Sequence, residues 1–106
     1  DWCCLTGTAQ MSAVWSDLHV LTGDSRYLEA RQRANGYLVA RHDITHSDPG
    51  IRGGVPGSWP TSGEYGRFTI LNWATKFFVD ALLAEQGHLR PHVLGDMATA
   101  LPVRTR

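Results

Sequence analysis

Residues 21–24, Leu21-Thr22-Gly23-Asp24, place a helix stop and a helix start back to back. Gly23 suits the left-handed conformation that ends a helix. The Asp24 carboxylate suits the free amides that open the next one. A connection this short makes its two helices antiparallel neighbours, so the chain is built on a helical hairpin.

The flanking patterns agree. Over residues 5–21, Met11, Val14, Trp15, Leu18 and Leu21 recur at three- and four-residue spacing as one apolar stripe. Thr8, Ala9, Ser12, Ala13 and Ser16 form a second face of small side chains, so this helix is expected to be packed on both sides. Residues 25–41 predict the second helix, with Tyr27, Leu28, Ala30, Ala34, Tyr37 and Leu38 inward and Arg26, Glu29, Arg31, Gln32 and Arg33 opposite. Gly36 costs about 1 kcal/mol in mid-helix relative to alanine, and close contact with the small face of the first helix is its expected compensation.

From residue 42 the chemistry changes. Six glycines (Gly50, Gly53, Gly54, Gly57, Gly63, Gly66) and three prolines (Pro49, Pro56, Pro60) break any regular element up to residue 68. Ile51, Val55, Trp59, Tyr65 and Phe68 are interleaved with them. A flexible tether lacks such anchors, so an ordered loop that carries function is expected here. A third helix is predicted over residues 69–85, with Leu71, Ala74, Phe78, Ala81 and Leu82 as its stripe and Trp73, Phe77, Asp80 and Ala84 beside it. The tail, 87–106, lacks clean periodicity; a short helix over 93–101 is its one candidate element, and the last five residues are expected to fray.

The expectation is one all-α domain over residues 1–106. Its helices carry apolar residues around much of their circumference, more than a free-standing three-helix bundle requires. They are expected to meet further helices, and a homo-oligomer would supply them. Ten Lys and Arg balance ten Asp and Glu, which removes the electrostatic footprint of a nucleic-acid or anionic-membrane partner. No apolar run approaches the length of a membrane span, and no basic-then-apolar start marks a signal peptide. Cys3 and Cys4 are adjacent and cannot staple the fold, so they are expected to be small apolar groups at a helix start and say nothing of compartment.

Two sequence stretches resemble a known architecture. TGTAQMSAVWSDLHVLTGDSRYLEARQRANGYL followed by DPGIRGGVPGSWPTSGEYGRFTILNWATKFFVDALLAE is similar to part of the (α/α)-toroid enzymes, built from repeated helical hairpins. These include six-hairpin glycosidases, polysaccharide lyases and terpenoid-cyclase-like toroids, and the likeness is strongest to bacterial proteins of polysaccharide metabolism. It covers residues 4–85. The combination of Gly50-Ile51-Arg52-Gly53-Gly54, Gly57-Ser58-Trp59-Pro60 and Leu71-Asn72-Trp73-Ala74 carries it; LTGDSRYL alone is common to many hairpins. The resemblance implies a partial toroid whose loops line a cleft for an extended substrate, hence an oligosaccharide ligand. An isoprenoid substrate would call for an aspartate-rich motif, and aspartate is sparse.

The loop residues fit that implication. Trp59 and Tyr65 offer flat amphipathic faces for a sugar ring. Arg52 and Arg67 present planar forks for a uronate carboxylate. Asp48 and Glu64 are the carboxylates available as a general acid and base. A lyase would instead pair one of the arginines with Glu64, His42 or His46. Structural roles compete: Arg52 paired with Asp48 or Glu64 would brace the loop, and Trp59 would anchor it in the core. His42 and His46 would share a face and offer a metal pair if the second helix continued, but Pro49 and the glycines oppose that. No cofactor and no resident metal are expected. The alternative to a carbohydrate-related function is a non-catalytic, self-associating helical module.

Overall fold

The computed structural model describes residues 1–87. Its order is β1 (Cys3–Cys4), α1 (Leu5–Thr22), α2 (Ser25–Arg41), β2 (Ser58–Trp59) and α3 (Asn72–Glu85). The described residues are mostly helical, with three helices and one small antiparallel sheet in which Cys3 pairs with Trp59 and Cys4 with Ser58. The expected helix over 93–101 and the tail around it lie outside the described residues.

The hairpin turn forms as its residues dictate. Gly23 takes φ 71° and returns its N–H to the His19 carbonyl at 2.8 Å. Asp24 caps α2, its carboxylate accepting from the Arg26 N–H at 2.9 Å. The far end of α1 is capped by a thiol: Cys4 Sγ accepts from the Gly7 N–H at 3.3 Å, while Thr8 Oγ1 donates to the Cys4 carbonyl at 2.9 Å. Both cysteines are half-buried and free.

α1 is the central helix, packed against both α2 and α3, which touch each other little. It is its small face that goes inward. Leu5, Ala9, Ser12 and Ser16 are buried, at spacings of four, three and four, and Asp17 is buried beside them. Small side chains let two neighbouring backbones come close, and their polar atoms are joined to partners. Ser12 Oγ donates to Asn35 Oδ1 at 2.6 Å, and Asn35 Nδ2 donates to Glu85 Oε1 at 3.1 Å, so one polar seam crosses all three helices. The large stripe of α1 faces outward: Met11, Val14 and Leu21 are exposed, and Trp15 and Leu18 are half-buried. Two-sided packing is therefore realised on one side only among the described residues.

The core itself is small: Leu5, Ala9, Leu38, Val55, Leu71, Ala74 and Phe78, with Cys3, Tyr37, Phe77 and Leu82 at its margin. On α2 only Ala34, Asn35 and Leu38 are buried; Tyr27, Leu28, Ala30 and Tyr37 reach half-burial. Gly36 lies on the exposed side with nothing within 4 Å of where a Cβ would stand, so it makes no close helix contact.

α3 begins three residues later than its periodicity suggests. Residues 69–71 are taken by the loop: the Leu71 N–H donates to the Val55 carbonyl at 3.1 Å, the Gly57 N–H donates to the Thr69 carbonyl at 3.1 Å, and Pro56 bridges Ile70. Tertiary pairing there overrides the local pattern. No helix among the described residues is long and apolar enough to cross a membrane.

Candidate functional site

α2 stops at Arg41 because the next residue turns extended. His42, at φ −90° and ψ 112°, leads the chain away, and its Nε2 donates to the Gly53 carbonyl at 2.7 Å. A carbonyl only accepts, so the proton of neutral His42 sits on Nε2 and its Nδ1 is the bare nitrogen. The ring meets Phe78 edge-on, 4.9 Å between centroids, which ties the end of α2 to the core. Asp43 then turns the chain: its Oδ1 accepts from the Thr45 N–H at 2.9 Å and the Thr45 hydroxyl at 3.2 Å, and its carbonyl accepts from the Gly53 N–H at 2.8 Å.

Hydrogen bonds recur along the loop. Asp48 accepts from the Gly50 N–H on Oδ1 and from the Ile51 and Arg52 N–H groups on its carbonyl, at 2.8, 3.0 and 2.9 Å. Val55 N–H donates to Thr75 Oγ1 at 3.0 Å and the Leu5 N–H donates to the Gly57 carbonyl at 3.0 Å. Ser58, fully buried, donates to the Tyr65 carbonyl at 2.6 Å. Gly57 has no room for a side chain: a Cβ would stand 2.5 Å from the Tyr65 carbonyl oxygen and 3.0 Å from Gly66 Cα. Phe68 sits at φ 54°, a conformation that few bulky side chains adopt, with its ring exposed.

Between the end of α2 and this loop lies a groove of about 470 Å³, lined by Ala40, Arg41, His42, Asp43, Ile51, Gly54, Pro56, Trp59, Thr61 and Ile70. That volume falls in the range of small-ligand sites. Trp59 stands at it with 39% of its surface exposed. The Arg41 guanidinium lies 3.6 Å above the Tyr37 ring centroid and 5.8 Å from that of Trp59. Among the described residues, Asp43 is the one carboxylate that lines the groove. The N–H of Thr45, with help from its hydroxyl and the nearby His46, holds the Asp43 pKa below the usual carboxylate value, so the group is ionised near neutrality. A carboxylate tuned downward is a poor general acid; it suits accepting hydrogen bonds from hydroxyls.

The residues singled out in the sequence separate. Trp59 and His42 line the groove. Tyr65 does not; its hydroxyl accepts from Trp73 Nε1 at 2.9 Å, and the two form an exposed aromatic pair. Asp48 is spent on its own turn. Glu64, Arg52 and Arg67 are exposed, make no ion pair among the described residues and do not line the groove. The bracing of Arg52 by Asp48 or Glu64 is thus replaced by a main-chain bond, from the Arg52 N–H to the Asp48 carbonyl. The anchor role for Trp59 is not realised either, since its side chain is substantially exposed. His42 and His46 do not share a helical face because α2 ends before them, and His46 Nδ1 accepts from the Asp48 N–H at 3.0 Å. Among the described residues no three His, Cys, Asp or Glu side chains gather as a metal site.

Arg41, Asp43 and Thr61 are the groove's polar residues that a reading of the loop alone misses. One signal was available for Arg41. An arginine four residues after Tyr37 in the last turn of a helix is placed to stack on that ring. Compared with known proteins, the chain matches no protein-family model, no curated protein and no solved structure.

Proposed function

We propose that this chain is a carbohydrate-binding part of a helical, (α/α)-toroid-like assembly, and that it holds a sugar in the groove between α2 and the 42–67 loop. The observation that carries the reading is Trp59. It is a half-exposed indole beside a groove whose other polar groups, Arg41, Asp43 and Thr61, can exchange hydrogen bonds with sugar hydroxyls. An aromatic face for the C–H side of a ring, with polar groups at its edge, is the combination that sugars reward. Binding is favoured over cleavage, because the groove holds one carboxylate and acid/base hydrolysis needs two.

Titration with oligosaccharides, read by tryptophan fluorescence, tests it. A saturable change at up to millimolar ligand is expected, weakened about fivefold to tenfold in Trp59→Ala and unchanged in Trp73→Phe. The absence of any change at millimolar sugar, acidic and neutral alike, overturns the reading. Glu64→Gln is expected to bind as the parent does, since Glu64 is not part of the groove.

A second reading, self-association, is favoured by the outward stripe of α1, where Met11, Val14 and Leu21 are each more than 40% exposed. The only Asp, Glu, Lys or Arg on α1 is the buried Asp17, so no charge on that helix guards the stripe. Sedimentation at rising concentration is expected to show oligomers that Val14→Asp disperses. A monomer at all concentrations removes this reading and leaves the groove untouched.

A further inference from the structure

Resting on the groove as the sugar site, we infer that its ligand carries a carboxylate, received by Arg41. The guanidinium of Arg41 lines the groove and is fixed in place: its carbon lies 3.6 Å over the Tyr37 ring, and its Nη1 donates to the Tyr37 carbonyl at 3.3 Å. Among the described residues its other donors have no partner. Nε is buried with no hydrogen-bond partner, and no carboxylate among the described residues pairs with the group. A guanidinium in that condition is an unanswered charge, which an incoming anion relieves at little cost in side-chain ordering, because the stacking has already immobilised it. Its planar end matches two carboxylate oxygens.

The neighbouring charges do not cancel the argument. Asp43, also in the groove, has one oxygen committed to the Thr45 N–H and hydroxyl, and it forms no ion pair with Arg41. His42 presents Nε2 to the Gly53 carbonyl and so spends its proton within the protein. Among the described residues, Arg41 therefore remains the groove's one cation without a counter-charge. The guanidinium also lies over the Trp59 ring, 5.8 Å from its centroid, so the aromatic face and the anion receptor adjoin in one groove.

The test compares tetragalacturonate with its methyl ester, which keeps the shape and removes the charge. Calorimetry or fluorescence on the whole chain is expected to show the acid binding about tenfold tighter than the ester, with the preference fading as salt rises. Arg41→Gln is expected to erase the preference while leaving ester binding in place; Arg41→Lys keeps the charge, loses the fork and retains part of it. The salt series on the unaltered protein answers the question even if both variants unfold. Equal, salt-independent binding of acid and ester overturns the inference and leaves sugar binding standing. Failure of both to bind overturns the inference, and failure of neutral oligosaccharides as well overturns the reading it rests on.

Discussion

The hairpin and the loop are ordered by opposite means. In α1 and α2 the backbone satisfies itself, and side chains decide only which faces meet: a seam of Ala9, Ser12, Ser16, Ala34 and Asn35 lets the helices approach. In residues 42–71 the backbone closes irregular turns on itself, as at Asp48, and also bonds the helices beside it. Gly57 bonds Leu5 of α1, Val55 bonds both Thr75 of α3 and Leu71, and Gly53 bonds His42 and Asp43 at the end of α2. The lesson lies in the glycines. On α2, Gly36 is a gap in a solvent face; in the loop, Gly57 is a contact that no other residue can make.

The most severe way to test this division is to attack the point where the two regions meet. Phe78 is fully buried and touches both the helical core and His42, so Phe78→Ala is expected to cost about 3–5 kcal/mol and to unfold loop and hairpin together in one urea transition. Two separate transitions would show that the regions are held independently. Next comes Gly57→Ala, which forces a Cβ against the Tyr65 carbonyl and Leu71. About 1–3 kcal/mol of destabilisation is expected, with protease cleavage rising within the loop and helical circular dichroism preserved. The same substitution at Gly36 is expected to have the opposite sign, a gain of about 0.5–1 kcal/mol in urea unfolding, because the site is helical and open.

The smallest effect belongs to the turn between α1 and α2. Hydrogen bonds from the Arg26 side chain, then from its N–H, hold the Asp24 pKa below its ordinary 3.8. A carboxylate depressed in the folded state contributes stability that is complete above the unfolded value and is lost as pH falls through the folded one. Urea midpoints measured on either side of 3.8 are therefore expected to decline on the acid side. Asp24→Asn, which keeps the cap but not the charge, is expected to flatten that share of the decline.

These differences also mark what the sequence could disclose. The bounds of α2 and the hairpin turn were readable to the residue, because Gly23, Asp24 and Arg41 act on their immediate neighbours. The start of α3 was not, since residues 69–71 match a helical period yet bond to 55–57. Two-residue strands have no period to read. On α1 both faces qualified for burial, and only the presence of α2 and α3 against the small one decides between them. The groove was legible at Trp59 and His42; its other walls come from the end of α2, from further loop residues and from Ile70, positions that no local spacing connects.

One structural feature sets how the groove behaves as the molecule warms. Residues next to its walls are bonded to the helices: Gly57 to the first residue of α1, Gly53 to His42 after the last turn of α2, and Val55 to Thr75 in the first turn of α3. On the proposed reading, a ligand seated there is expected to raise the melting point of the described helices along with that of the loop.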